Sequence, residues 1–204
     1  MKNNETKQKV MDASCKLFYA KGYHGTSVRD IAKKASVNVS LINYYFKSKQ
    51  GLLETVVVTY YEEYLKQLDF VFDETENDGA IDRLKKMIET IIHYKQNQHQ
   101  FTCFIQRELT LDSIFVREMM VTYLAKENYI VSKLFSDALK GTPHTNMDQE
   151  FLLLQLKGLL ITPYMAPKEW RSHIVWDQSQ DLFVKKYTNS IHKWIDYLTQ
   201  QKSN

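Results

Sequence analysis

Apolar residues recur at helical spacing along almost the whole chain of 204 residues, and few residues interrupt them. After Lys49, for example, a broad apolar stripe runs from Leu52 to Leu68 at intervals of three and four residues. Only six glycines and three prolines are present, which is too few for the turns of a many-stranded sheet. These features predict an all-α protein.

The first 50 residues begin with two predicted helices of unequal length. The first runs from about Glu5 to Lys21 and is followed by Gly22, a residue type that commonly ends helices. Thr26 or Ser27 can N-cap a second, short helix that extends to about Lys34.

A third helix is predicted from about Val39 to Phe46, after a break of three residues from Ser36 to Asn38. Asn38 or Ser40 can cap this helix, and Ile42 and Phe46, four residues apart, form its inward face. Two short helices with a tight turn, braced by a longer first helix, make a helix-turn-helix.

The outward face of the third helix would then carry Val39, Ser40, Asn43 and Tyr44. An asparagine amide can pair with a base edge, and a valine can contact a thymine methyl group. Ser40 and Tyr44 can reach phosphates. This face therefore suits a DNA major groove, although a plain three-helix bundle without a ligand has the same helices.

Charge is distributed unevenly along the chain. Residues 1–50 hold ten basic and three acidic residues, a net charge of +7, whereas the remainder carries −4. A basic head on a mildly acidic body is typical of a protein whose one end binds a polyanion such as double-stranded DNA. Charge alone fits a solvated lysine-rich surface equally well.

These segments resemble the DNA-binding head of the TetR family of bacterial regulators. The matching residues are Gly22-Tyr23, residues 26–32, 35–38 and 42–46, Lys49 and Leu52-Leu53. The resemblance implies that the third helix reads the major groove, that Lys49 contacts phosphate and that Thr26 caps the second helix. The candidate DNA-binding residues are Thr26, Ser27, Arg29, Asn38, Val39, Ser40, Asn43, Tyr44, Lys47 and Lys49.

The head departs from the family pattern at three positions. Ser36 and Ser40 stand where the family usually has glycine, and Asn43 stands where it often has tyrosine. These changes affect the turn and the groove face. They leave DNA binding as the expected function but do not predict which bases are preferred.

Residues 51–204 are expected to form a helical dimerisation and regulatory domain, separate from the helix-turn-helix domain of residues 1–50. Beyond the stripe after Lys49, helices are predicted at about 81–92, 99–109, 113–140, 147–165 and 178–201, with a loop at 73–79. The segment from Phe151 to Ile161 is apolar nearly all round, and the last helix carries a large aromatic and aliphatic stripe.

The TetR resemblance implies that the last two long helices pair with their copies in a homodimer. Two-fold pairing would place the reading helices about 34–36 Å apart and imply a near-palindromic site. An ordinary intrachain core is the alternative. The candidate interface residues are Phe151, Leu152, Leu156, Leu159, Leu160, Tyr187, Ile191, Trp194, Ile195 and Leu198.

Two interpretations of the body remain open. Segments around 107–113, 117–127 and 155–164 resemble a TetR-type branch from endospore-forming relatives of Bacillus that acts on the division protein FtsZ during sporulation. This implies a partner surface that includes Arg107, Arg117 and Glu118. The alternative is a ligand-responsive repressor with a small-molecule pocket, which could be lined by Phe101, Phe104, Phe115, Tyr123 and Tyr129 unless these aromatics are plain core.

Several other classes of protein are not expected. The N-terminus lacks an apolar signal region, and the most apolar stretch, residues 151–161, is too short for a membrane span. His99 and Cys103 are four residues apart but make no metal motif, and neither a phosphate loop nor a catalytic nucleophile is recognisable. We therefore expect a cytoplasmic, nucleoid-associated protein that is not an enzyme and needs no cofactor or metal.

Overall fold

The computed structural model describes residues 2–108, 118, 120–144, 146–165 and 180–200, and every regular element in these ranges is helical. A π-helical turn, Met120–Leu124, leads directly into the α-helix that begins at Ala125. The α-helices are α1 (Lys2–Lys21), α2 (Val28–Ala35), α3 (Val39–Phe46), α4 (Lys49–Glu74), α5 (Ala80–Asn97), α6 (His99–Glu108), α7 (Ala125–Ala138), α8 (Asn146–Met165) and α9 (Gln180–Gln200). The all-α prediction is confirmed.

Most helix boundaries lie within a few residues of the predicted ones. Helix α1 begins at Lys2 rather than near Glu5, and α4 continues to Glu74, so that the loop before α5 is shorter than predicted. The long helix predicted at 113–140 is described only in part, because residues 109–117 and 119 lie outside the described ranges. No helix in the described ranges combines the length and hydropathy that a bilayer crossing requires.

The chain divides into two compact units. The first comprises residues 1–63 and 99–110, and the second comprises residues 64–98 and 111–204. Helix α4 therefore begins in the first unit and ends in the second, and α6 belongs to the first unit although it follows α5. These units are defined by packing and do not test the expected division into a DNA-binding domain of residues 1–50 and a regulatory domain of residues 51–204. That division stays a prediction.

The core of the first unit is formed where α1 packs on α2 and α6. Phe18 on α1 stacks on Phe104 of α6 with ring centroids 5.4 Å apart, and both side chains are fully buried. Ile31 and Ile42 bury the inner faces of α2 and α3. A side chain of this size contributes about 1.5–3 kcal/mol when it leaves water, so these contacts hold the short helices in place.

The core of the second unit surrounds α5, which packs on α7 and α9. Five apolar residues of α5 are completely buried: Leu84, Met87, Ile88, Ile91 and Ile92. Helices α8 and α9 run antiparallel, because a His144 ring nitrogen lies 3.2 Å from the Leu198 carbonyl and Tyr187 is hydrogen-bonded to Leu159. The last two helices are thus tied to each other and to α5 within a single chain.

This packing changes the interpretation of the candidate interface residues. Five of them are core residues with at most 5% exposure: Leu156, Leu160, Ile191, Ile195 and Leu198. Helix α5 packs on both α8 and α9, and α7 packs on α8, so these five side chains are already buried within the single chain. Their place in a dimer interface stays a prediction. Of the other five, Phe151 is exposed, and Leu152, Leu159, Tyr187 and Trp194 are half-buried.

Candidate nucleic-acid interface

Side-chain caps fix the N-terminal ends of both short helices. Ser27 is the N-cap of α2, where its hydroxyl accepts from the Asp30 N–H while the Asp30 carboxylate accepts from the Ser27 N–H. Asn38 caps α3 by accepting from the Ser40 N–H at 2.9 Å. Of the two candidates at each helix start, Ser27 and Asn38 are therefore the caps.

Ser36 ends α2 in the left-handed conformation, with φ of +56°. Its N–H donates to the carbonyls of Ala32 and Lys33, which would otherwise lack partners at the helix end. Only glycine adopts this conformation without steric cost. The preference of related heads for glycine here thus has a backbone cause, and this chain carries a small amount of strain at the turn.

Helix α3 presents a polar and aromatic face to solvent. Ile42 and Phe46 are buried, whereas Ser40, Asn43 and Tyr44 are exposed, Tyr44 with 75% of its surface. Val39 is half-buried at the start of the same helix. The exposed side chains include an amide and hydroxyl groups, which can bond base edges and phosphates.

The remaining candidate DNA-binding residues differ in their exposure to solvent. Ser27, Arg29, Asn38 and Lys47 are exposed. Thr26 is buried with 1% exposure, and its hydroxyl donates to the Gly22 carbonyl at 2.8 Å and lies 3.3 Å from that of Leu17. The Thr26 side chain therefore secures the end of α1, and it is not the cap of α2 that the family resemblance implied.

Lys49, the first residue of α4, is half-buried. Its ammonium donates to the backbone carbonyls of Tyr23 and Thr26, at 3.0 and 2.9 Å. It also lies 4.2 Å from the centroid of the Tyr23 ring. The cation is thus bound to the turn between α1 and α2, a contact that the linear sequence did not predict.

Arg107 on α6 binds the C-terminal turn of α1. Its guanidinium donates to the carbonyl of Phe18 at 3.1 Å and lies 3.4 Å from that of Tyr19, in the last turn of α1. A cation at a helix C-terminus is favourable for the helix dipole. Arg107 therefore stabilises the first unit, and because its side chain is also exposed, its predicted place on a partner surface stays a prediction. Glu118 is helical and exposed, and Arg117 lies outside the described residues.

The described aromatics of the possible pocket differ in burial and belong to different units. Phe101 and Phe104 are buried in the first unit, where they pack against Tyr60 and Phe18. Tyr129, in the second unit, is 64% exposed on α7 and Tyr123 is half-buried, while Phe115 lies outside the described residues. Phe101 and Phe104 are therefore core residues.

The second unit instead contains two open grooves, one on each side of α5. One, of about 450 Å³, lies between α4 and α5, and the other, of about 440 Å³, lies between α5 and α9. Glu89 and His93 line both grooves. The first also has Phe70, which is largely exposed, at its edge. These grooves are accessible to small molecules.

Metal and thiol chemistry find little support in the described ranges. No cluster there brings together three or more histidine, cysteine, aspartate or glutamate side chains that could hold a metal ion. Cys103 Sγ lies 3.5 Å from His99 Nε2 on the same helix. Burial raises the pKa of the Cys15 thiol to about 12, which keeps it in the unreactive protonated form.

The chain is similar to known bacterial regulators, both in its first 56 residues and over most of its length. The family model of "Bacterial regulatory proteins, tetR family" matches residues 10–56, which cover the last twelve residues of α1, all of α2 and α3, and the start of α4. "Probable HTH-type transcriptional regulator YttP" of Bacillus subtilis (strain 168) is 38% identical over 190 residues, covering 93% of this chain and 92% of the relative.

Two solved structures share the fold over more than nine-tenths of the chain. The TetR family transcriptional regulator PfmR from Thermus thermophilus superposes with a TM-score of 0.70 and 14% identity, over 91% of this chain and 96% of PfmR. The transcriptional regulator FadR from Bacillus subtilis, in complex with stearoyl-CoA, superposes with a TM-score of 0.67 and 18% identity, over 92% of this chain and 96% of FadR.

Proposed function

The chain belongs to the tetR family of bacterial regulatory proteins, and from this membership we propose that it is a ligand-responsive transcriptional repressor that binds near-palindromic DNA as a homodimer. At the family level it is a DNA-binding transcriptional regulator and not an enzyme. The target site, the dimer surface and the effector are the parts that go beyond family membership.

The exposed face of α3 is the observation that carries the DNA-binding proposal. Asn43 lies on the solvent side of a helix whose opposite face is anchored by Ile42 and Phe46. An asparagine amide can both donate to and accept from adenine in the major groove. We assign Asn43 to base recognition, and Ser40 and Tyr44 to phosphate contacts.

An exposed apolar stripe on α8 supports a homodimer. Met147, Phe151, Leu154, Gly158, Ile161 and Met165 follow one another at intervals of four and three residues, which is the spacing of a helix-pairing seam. Phe151 and Leu154 have 60% and 66% of their surfaces exposed in the single chain. Burial of this stripe against its copy would remove large apolar side chains from water.

The effector part of the proposal is supported by the two grooves beside α5. FadR shares the fold and was solved with stearoyl-CoA, which makes this acyl-CoA a rational first probe. Threonine, histidine and charged side chains line the grooves here, together with Phe70 and Val71. Such a mixed lining suits a ligand with both polar and apolar parts.

DNA binding is tested by selecting preferred duplexes from a random pool with the wild-type protein. Asn43→Ala should then weaken binding to the selected duplex by about 5- to 150-fold, corresponding to roughly 1–3 kcal/mol, with little change on a scrambled duplex. Asn128→Ala, an exposed asparagine on α7, is the matched control. Equal losses on both duplexes would exclude Asn43 as a base reader. A wild type that binds no duplex in low salt would refute the proposal.

The effector is tested by titrating stearoyl-CoA and a metabolite library into the complex with the selected duplex. A ligand-responsive repressor should release the duplex, with an increase in Kd of about 5- to 150-fold for a typical allosteric coupling. If no compound changes the affinity for DNA, the ligand-responsive part of the proposal fails and the DNA-binding part stands.

A second candidate function is RefZ-like action on FtsZ during sporulation, based on the resemblance of the segments around residues 107–127. None of the relatives named above is described as a division protein, so this role stays a prediction. Charge reversal at Arg117 should abolish an effect on FtsZ assembly while sparing dimerisation and DNA binding. If the effect on FtsZ persists, the contact surface lies elsewhere.

A further inference from the structure

We propose that Lys49 acts as a positioning residue that locks the turn between α1 and α2, and that this lock sets the orientation of the helix-turn-helix for DNA. The inference rests on the DNA-binding function proposed above. It assigns Lys49 a role inside the protein, in place of the phosphate contact that the family resemblance implied.

The contacts of the ammonium carry the argument. Lys49 Nζ donates to two backbone carbonyls of one turn, those of Tyr23 and Thr26, and lies against the Tyr23 ring. Hydrogen bonds from a charged donor are about twice as strong as neutral ones. Two of the three ammonium protons are thereby engaged, which leaves at most one for a phosphate.

Lys49 lies at the start of α4, where a positive charge is unfavourable for the helix. A positive charge in the first turn of a helix opposes the helix dipole, so an ammonium left at that end would be unfavourable. The side chain instead carries its charge onto carbonyl oxygens that lie 23 and 26 residues earlier in the chain. The lysine thus joins the start of α4 to the turn before α2.

The locked turn determines where α2 begins. Thr26 directly precedes Ser27, the N-cap of α2, and its hydroxyl is bound back to the Gly22 carbonyl. Its N–H lies 3.3 Å from the Tyr23 carbonyl that also accepts from Lys49. Since α3 packs on α2, a change in the turn would change the presentation of Asn43 and Tyr44.

The test compares Lys49→Met, which keeps the stem and removes the ammonium, with Lys16→Met, which removes one charge from an exposed position on α1. Affinity is measured over a salt series for the duplex selected by the wild type and for a scrambled duplex of equal length. Amide hydrogen exchange at residues 23–27 is measured in the free protein.

A positioning role predicts three results for Lys49→Met. Affinity for the selected duplex should fall about tenfold more than affinity for the scrambled duplex, because misplaced helices lose directed contacts. The slope of the logarithm of the binding constant against the logarithm of salt concentration should change no more than it does in Lys16→Met. Exchange at residues 23–27 should rise by about tenfold or more, because two charge-assisted hydrogen bonds are lost.

The opposite pattern would overturn the inference. In that case Lys49→Met would reduce the slope of the logarithm of the DNA-binding constant against the logarithm of salt concentration by about 0.9. Affinity for both duplexes would fall equally and amide hydrogen exchange at residues 23–27 would not change. These results would identify Lys49 as a simple phosphate contact. If Lys49→Met does not fold, side-chain NMR of the wild type decides the matter. Slow exchange of the Lys49 ammonium protons without DNA supports the lock, and fast exchange refutes it. Failure of all DNA binding would leave these DNA-free measurements valid.

Discussion

The hydroxyl of Tyr187 on α9 donates a hydrogen bond of 2.7 Å to the backbone carbonyl of Leu159 on α8. Pro163 lies inside α8, four residues after Leu159, and has no N–H to donate to that carbonyl. Tyr187 supplies the donor that the helix lacks, and burial raises the pKa of its hydroxyl to about 12. A proline that interrupts one helix is thus compensated by a side chain from the next.

Tyr187→Phe should therefore lower the free energy of unfolding by about 1 kcal/mol, since it leaves the Leu159 carbonyl without this partner. In a Pro163→Ala background, where the helix supplies its own N–H, the same change should cost less. Urea denaturation at fixed protomer concentration measures both effects. Tyr197→Phe, at an exposed position on the same helix, should be neutral. Equal costs of Tyr187→Phe in both backgrounds would contradict this explanation.

Leu154→Glu should dissociate the proposed homodimer. Two-fold symmetry would bury two carboxylates without partners in the seam on α8, and the dissociation constant should rise by about 100-fold or more. Sedimentation velocity over a concentration series measures the change. Tyr129→Glu, at a similarly exposed position on α7, is the control and should leave the association state unchanged. A monomeric wild type, or a Leu154→Glu variant as dimeric as the wild type, would refute the proposed interface.

The ion pair between Lys95 and Glu127 should be important for stability because it is buried. Lys95 Nζ lies 3.0 Å from Glu127 Oε1, and the two side chains are 3% and 15% exposed. Glu127→Gln removes the charge that compensates a buried ammonium, and we expect a loss on the order of 3 kcal/mol.

The exposed pair between Lys126 and Asp69 provides the comparison for this loss. Asp69→Asn should change stability by less than about 1 kcal/mol, because solvent already screens the pair. Chemical denaturation of both variants gives the two values. If both variants lose similarly little unfolding free energy, burial does not make the Lys95–Glu127 pair more important for stability than the exposed pair.

The capping box of α2 should give the first unit a defined acid sensitivity. Hydrogen bonds from the Ser27 side chain and backbone, with a contribution from the charge of Lys21, hold the pKa of the Asp30 carboxyl below its usual value of 3.8. A carboxyl with a lowered folded-state pKa stabilises the fold above the unfolded value. That contribution is lost as the pH falls from 3.8 through the lower folded-state pKa.

An NMR titration of the Asp30 carboxyl carbon should accordingly give a midpoint below 3.8 in the wild type. In Ser27→Ala the midpoint should return towards that value, because the largest stabilising hydrogen bond is lost. Ser136→Ala, an exposed change on α7, should leave the midpoint where it is. An unchanged midpoint in Ser27→Ala would show that the cap does not determine the ionisation.

The sequence by itself determined the helices of the head and the polarity of their faces. Capping depends on a side chain and a backbone group two or three residues apart, so Ser27 and Asn38 could be named as candidates without coordinates. The inward faces of α2 and α3 follow from spacing alone, and Ile31 and Ile42 are buried as predicted. These are short-range effects, which the local sequence contains in full.

Only the tertiary structure decided how the surfaces of those helices are used. Helix α8 is apolar nearly all round, so periodicity could not separate Leu156, which is in the core, from Leu154, which faces solvent. Lys49 reaches its acceptors across more than twenty residues, and Arg107 reaches α1 across more than eighty. The physical reason is that burial and side-chain partners depend on which helices pack together. That choice is made by the long-range shape of the core, and no local pattern of the chain encodes it.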